Sequence, residues 1–179
     1  MLLIVLNYNM PAKEISLDAA KKDKLFYFVA NALVYREEDG RFLLLKRAET
    51  EKAHPGKWAT PGGKMEWQDF DLEKPDRLNG EILDYLGSVE NLIKRETREE
   101  AGIEIKDDFK FVNSNTFIRT DGIPVVLIKL AVSYKSGEVV LEEGAFDDFA
   151  WVNLEEAKKL DCVGGICEEI EKVAEMYKK

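Results

Sequence analysis

The apolar positions of this chain alternate between two periods, and the changes of period mark its elements. Residues 25–35 form a continuous run of β-favouring side chains, Leu-Phe-Tyr-Phe-Val-Ala-Asn-Ala-Leu-Val-Tyr, which predicts a long strand. Asp39-Gly40 predicts a hairpin turn, and residues 41–47 return as a second strand, with Leu43, Leu44 and Leu45 buried and Lys46 and Arg47 at its end. Residues 109–120 and 124–134 flank Asp121-Gly122 as a second hairpin, and residues 149–152 read as one more short strand. Helical spacing appears over 88–101, at 154–159, and over 166–177, where Ile170, Val173, Ala174 and Tyr177 share a face.

The remaining stretches are less regular. Residues 2–8 read as a short strand, and residues 11–22 as a helix or a loop. Residues 49–57 form a loop holding His54-Pro55-Gly56, and Pro61-Gly62-Gly63 follows Trp58-Ala59-Thr60. Residues 66–87 differ in character, with Trp67, several aspartates and an apolar piece around Ile82, Leu83, Tyr85 and Leu86. They read as an inserted loop containing a short helix. Strands and helices interleave, but the two hairpins require antiparallel pairs. The expected class is α/β, a mixed sheet covered by helices on both faces.

One helix carries unusual chemistry. At about 100° per residue, Val89, Leu92, Ile93, Glu96, Glu99 and Glu100 fall within roughly one third of its circumference, while Asn91, Lys94 and Arg98 point away. Ser88 suits the N-cap and Gly102 the C′ position. Carboxylates that continue an apolar stripe are costly unless paired or bound to a cation. They also lie near the C-terminal end, where the macrodipole disfavours negative charge. A hard cation relieves both penalties, and Mg²⁺ suits a site shared between carboxylates and substrate phosphates.

Composition narrows the choice of partner. The 179 residues are 45% hydrophobic and 34% charged, with net charge −9, which fits one domain with elaborations. No basic cluster interrupts the acidic balance, so a nucleic-acid polymer is not expected. No run approaches membrane-spanning length, and residues 2–6 are too short for a signal segment. A cytoplasmic protein without a membrane partner is the expectation. Cys162 and Cys167 are the only cysteines and His54 the only histidine. That set cannot complete a structural zinc site. Two buried free thiols are expected at C-x4-C, with a disulfide as the alternative.

Pro61-Gly62-Gly63-Lys64-Met65-Glu66, followed by Arg95-Glu96-Thr97-Arg98-Glu99-Glu100-Ala101-Gly102-Ile103, resembles the signature box of the Nudix hydrolases. The flanks 43–47, 56–58 and 149–156 extend the resemblance over about 26–157. The box is split, because Gly63 and Arg95 stand 32 positions apart, leaving an insertion of about 18 residues. Its first glutamate is also replaced. Counting back from Arg95 reaches Gly87, and counting forward from Gly63 reaches Asp69.

The resemblance implies a Nudix-like α/β/α sandwich over 1–179, with an N-terminal extension 1–23 and an insertion at about 67–87. It implies Mg²⁺-dependent hydrolysis, with Mn²⁺ as a substitute, of the pyrophosphate bond in a nucleoside diphosphate linked to another group. ADP-ribose-like compounds and nucleoside triphosphates both fit. By motif position, Glu99 and Glu100 are the principal metal ligands, Glu96 a further ligand or base, and Arg95 its orienting partner. The Gly62 carbonyl would complete the coordination. Lys46 and Arg47 are expected to hold phosphate oxygens. A base on a later loop is sought among Glu142, Glu143, Asp147 and Asp148, with Glu143 favoured. Tyr27, Trp58, Trp67 and Phe117 are the candidates for ring stacking. The insertion is expected to line the pocket or to contact a second subunit in a homodimer. The alternative from another class is a nucleotide-binding or sensing module that keeps the fold without turnover.

Overall fold

The β-rich run after Leu25 becomes β1 (Tyr27–Arg36), and the rest of the sheet is assembled around it. Along the chain follow β2 (Arg41–Arg47), β3 (Trp58–Ala59) and β4 (Gly62–Lys64), then a small hairpin of β5 (Arg77–Asn79) and β6 (Ile82–Asp84). Helix α1 (Ser88–Ala101) leads to β7 (Glu104–Ile105), β8 (Lys110–Ile118), β9 (Pro124–Ser136) and β10 (Phe146–Val152). Two helices close the chain, α2 (Leu154–Ala157) and α3 (Ile166–Tyr177). The computed structural model describes residues 12, 14–18 and 20–178. The strand expected over 2–8 lies outside them. Of the 11–22 segment, the described residues are irregular until a 3-10 turn at Lys22–Lys24.

Both hairpins expected from Asp-Gly pairs form, β1 with β2 and β8 with β9. What the sequence did not reveal is the centre of the sheet, where β1 and β9 run parallel from Tyr27↔Val125 to Tyr35↔Ser133. The sheet order is β10-β2-β1-β9-β7, with β3 added to β2, β4 to β1 and β8 to β9. It is therefore mixed, as expected.

Strand alternation separates two cores. Ala30, Ala32, Val34, Leu43 and Leu45 face Leu92, Ile93 and Ala101 of α1. Leu33, Phe42 and Leu44 face the other way, against Ile166, Ile170 and Val173 of α3. Helices thus cover both faces of the sheet. The α2 turn is fixed by a capping box, in which the Asn153 side chain accepts from the Glu156 amide and the Glu156 carboxylate from the Asn153 amide.

The described chain divides into two compact units. One comprises residues 26–65 and those from 89 onward, and it holds the sheet and both cores. The other comprises 66–88 together with the described residues before 26. In place of the short helix expected over 82–86, that second unit contains the β5–β6 hairpin. Gly80, at φ +64°, occupies its first turn position, between Asn79 and Ile82 of the ladder. A glycine there permits the turn that matches strand twist, and Arg77 pairs with Asp84 across the two strands. A 3-10 turn at Trp67–Asp69 precedes it, closed by reciprocal bonds between Glu66 and Asp69.

Candidate active site

The site begins with how β4 is bound to β1. The Ala32 amide donates to the Pro61 carbonyl at 2.8 Å and the Met65 amide to the Phe28 carbonyl at 2.9 Å. In this antiparallel register, with Ala30 opposite Gly63 and Asn31 opposite Gly62, the amide and carbonyl of Gly62 face away from β1. The Gly62 amide donates instead to Glu100 Oε2 at 2.7 Å. Its carbonyl lies on the same side of the strand. Gly62 has φ +152°, and a Cβ there would meet the Ala30 carbonyl oxygen at 2.3 Å. At Gly63 a Cβ would fall 2.3 Å from the Glu96 carboxyl. These two glycines bring backbone against both carboxylates, a closeness that side chains would forbid.

Helix α1 delivers those carboxylates. Its buried arc comprises Leu92, Ile93, Glu96, Thr97 and Ala101. Glu96 is 8% exposed, while Glu99 is open at the edge of the arc. The helix ends at Gly102, φ +66°, whose amide donates to the Arg98 carbonyl at 2.9 Å, an αL-type stop. The Ser88 hydroxyl donates to the Tyr85 carbonyl.

Arg95 organises the acids. Its Nη1 lies 2.8 Å from Glu99 Oε2 and 2.9 Å from Glu96 Oε1, and its Nη2 donates to the Lys64 carbonyl at 3.1 Å. Among the described residues, no three acidic, histidine or cysteine side chains converge as a ready-made metal cluster. Glu99 is turned towards Arg95. The Glu100 carboxyl is pushed up to about 8, chiefly by burial, with the Glu96 and Glu142 charges adding to the shift and the Gly62 amide and Arg47 opposing it. Hard oxygen donors and a desolvated carboxylate beside a second acid fit a small divalent cation.

Strand alternation separates Lys46 from Arg47. Arg47 falls on the α1 face with Leu43 and Leu45, where its charge acts on Glu100. Its guanidinium also pairs with Glu51 and donates to the Ala53 carbonyl at 2.6 Å, holding the 49–57 loop. Lys46 falls on the α3 face with Leu44, opposite Trp58 and Asp148. The expected pair of phosphate-holding cations is therefore divided between faces.

The later acidic loop approaches through Glu142. Its amide donates to the Glu100 carbonyl at 3.2 Å, and its charge raises the Glu100 carboxyl. Through that backbone bond and that charge, Glu142 joins Glu143 as a candidate for the loop base. Nothing in the sequence distinguishes these neighbouring glutamates.

Of the aromatic candidates, Tyr27 and Phe117 flank Val125 in one row across β1, β9 and β8, each 42% exposed. Two rows further along stand Asn31, Lys129 and Asn113. Lys129 Nζ reaches Glu169 of α3 at 2.6 and 2.8 Å, and Asn113 Nδ2 donates to the same carboxylate at 3.0 Å. Asn113 Oδ1 is buried without a partner. Sequence reading missed this polar row because it depends on register across three strands. Trp58 packs into the α3-side core, and Trp67 is exposed in the other unit.

Carboxylates at the end of a helix, set on a mixed sheet between helices, define an α/β/α protein with its candidate site at the glycine loop. The sequence model of the NUDIX domain matches residues 27–74. The chain is 27% identical over 135 residues to the nucleoside triphosphatase NudI of Klebsiella pneumoniae strain 342, covering 70% of this chain and 82% of that protein. A NudI of Escherichia fergusonii matches at 27% identity, with 70% and 82% covered. Among solved structures, a MutT protein of Methanosarcina mazei Go1 aligns with TM-score 0.60 at 24% identity, over 89% of this chain and 100% of the other. The NUDIX domain of Shewanella oneidensis NrtR, solved with ADP ribose, aligns with TM-score 0.64 at 14% identity, over 87% and 90%. These two structural likenesses establish the fold alone. Over part of its sequence and in its fold, the chain is similar to Nudix hydrolases. No helix among the described residues is long and apolar enough to cross a membrane.

Proposed function

We propose that this chain is a Mg²⁺-dependent pyrophosphohydrolase, with Mn²⁺ as a substitute, whose substrate is a nucleoside triphosphate. The observation that carries the reading is the pressing of Glu96 and Glu100 onto the backbone of Gly63 and Gly62. The names of the NudI relatives favour a triphosphate over an ADP-ribose-like compound.

Glu100, Glu96 and the Gly62 carbonyl would hold the cation, with Glu99 joining them by turning from Arg95. When bound, the cation neutralises phosphate charge and lowers the pKa of the attacking water. The protein's own residues do the rest. Arg95 orients Glu96 and Glu99 through its fixed fork, and Arg47 sets positive charge on the phosphate side of the site. Glu142 takes the proton from water as it attacks phosphorus. The displaced phosphate leaves with negative charge that Arg47 helps to stabilise.

A panel of nucleoside triphosphates and nucleoside diphosphate derivatives, incubated with Mg²⁺ and resolved by mass, tests this. Pyrophosphate and a monophosphate from at least one triphosphate are expected. Loss of residues 68–86 is expected to alter substrate preference or oligomeric state, which the same panel and a sedimentation measurement would show.

A second reading follows from Gly87, φ +64°, standing where the box's first glutamate would be. A nucleotide-sensing module would bind a nucleotide tightly and release no product with either metal.

A further inference from the structure

Between α2 and α3 the chain makes one tight turn, over Val163-Gly164-Gly165-Ile166. The Ile166 amide donates to the Val163 carbonyl at 3.4 Å, and Gly165 lies at φ +94°, ψ −15°. Those angles are the third-position geometry of a type II turn, which favours glycine. The residues immediately outside the turn are Cys162 and Cys167. Both are free thiols, half-buried and packed against the α3-side core. Neither takes part in the chemistry proposed above.

We propose that Cys162 and Cys167 are a redox modification site, a dithiol that closes to an intramolecular disulfide by exchange with a low-molecular-weight disulfide such as oxidised glutathione. In the first step the Cys167 thiolate attacks one glutathione sulfur. The glutathione S–S bond breaks, a mixed disulfide forms on Cys167, and one glutathione thiolate leaves. Cys162 then gives up its proton and attacks the Cys167 sulfur, and the second glutathione leaves as a thiolate. The protein loses two electrons and two protons, and the glutathione disulfide is reduced to two thiols.

The order of attack follows from the surroundings of Cys162. Its Sγ lies 3.5 Å from the Ala157 carbonyl oxygen. Burial, then the neighbouring Cys167, pushes its thiol up to about 11. Less thiolate makes it the slower first nucleophile. As the second, it faces a mixed disulfide held at the other end of the same tight turn.

The bond would act on more than the turn. The Trp58 amide donates to the Asp161 carbonyl at 3.0 Å and the Val163 amide to the Trp58 carbonyl at 2.8 Å, so Cys162 is laid against β3. That strand leads through Thr60 and Pro61 into Gly62 and Gly63. Oxidation would tie the first turn of α3 to the segment supporting the glycine loop.

The test uses the reduced full-length protein, equilibrated without denaturant in glutathione buffers of increasing oxidised fraction, quenched by alkylation and weighed intact. Both thiols are expected to disappear together, with a mass lower by two hydrogens and no glutathione retained. The Cys162→Ser variant is expected to keep glutathione on Cys167. Two free thiols at the most oxidising ratio, or glutathione adducts accumulating on the wild type, would overturn the proposal. Gly165→Ala strains the positive φ and should require a ratio more oxidising by roughly tenfold. An unchanged ratio in a variant with native circular dichroism would remove the turn as the cause.

Discussion

The amide of Gly62 donates to the Glu100 carboxylate at 2.7 Å, tying the last turn of α1 to a glycine loop 38 positions earlier. This bond joins the two halves of the split box without depending on what lies between them in sequence. It also leaves a carboxylate desolvated beside Glu96, and the first prediction concerns that cost.

Burial raises the folded Glu100 carboxyl from an ordinary 4.5 to about 8. Between those values the folded chain keeps a proton that the unfolded chain has released. Stability measured with a chelator is therefore expected to fall as pH rises through this window. Added Mg²⁺ should restore more stability near its upper end than near its lower end. Urea midpoints with and without Mg²⁺ across the range check this, and Glu100→Gln should flatten the fall.

The same substitution should abolish most turnover while preserving the fold. A loss of about 10²-fold or more in Mg²⁺-dependent kcat is expected, comparable to removing one transition-state contact. Unchanged kcat on a confirmed substrate would remove Glu100 from the site.

The adjacent glycines should fail in different ways. A methyl on Gly62 meets the Ala30 carbonyl and the Asn31 Cα, both backbone, and φ +152° adds strain. Gly62→Ala is expected to cost about 2–4 kcal/mol in urea unfolding. At Gly63 the obstruction is the end of the Glu96 side chain, which can swing aside. Gly63→Ala should keep more of its stability and lose activity with the displaced carboxylate, by about 10-fold or more.

The loop acids separate by kinetics. Glu142→Gln is expected to lower kcat by about 10²-fold, the range for a general base. Glu143→Gln should change it by less than about threefold. Equal losses in both would mean that the loop contributes only summed negative charge.

On the opposite face, Lys129 and Glu169 form an ion pair with each residue 7% exposed. Lys129→Met leaves Glu169 buried without its cation and should destabilise by about 3–5 kcal/mol. Adding Glu169→Leu should recover much of that loss, since an apolar pair needs no compensating charge. A double-mutant cycle from denaturation curves measures the coupling.

Local pattern carried much of this protein. The extent of α1, from Ser88 to the positive-φ Gly102, follows from helical spacing and a glycine stop, both readable within a few turns. The same holds for α3 at Ile166–Tyr177 and for the two hairpins around Asp-Gly pairs. Helix phase also placed Glu96 with Leu92 and Ile93, and Glu96 is buried. The β5–β6 hairpin is equally local, since Gly80 sets its turn, although the apolar cluster over 82–86 reads as a helix.

Other features required the assembled sheet. Phase put Glu99 within the same third of the helix as Glu96, but the buried arc is centred nearer Ile93 and Thr97, leaving Glu99 at its rim with Arg95. Alternation along β2 sent Lys46 and Arg47 to opposite faces. Which face held α1 was fixed by packing between segments far apart in the chain. The parallel pairing of β1 with β9 likewise joins residues about a hundred positions apart. Periodicity reports which side of an element is apolar. It does not report what that side meets, because that choice depends on burying the whole set of apolar faces together.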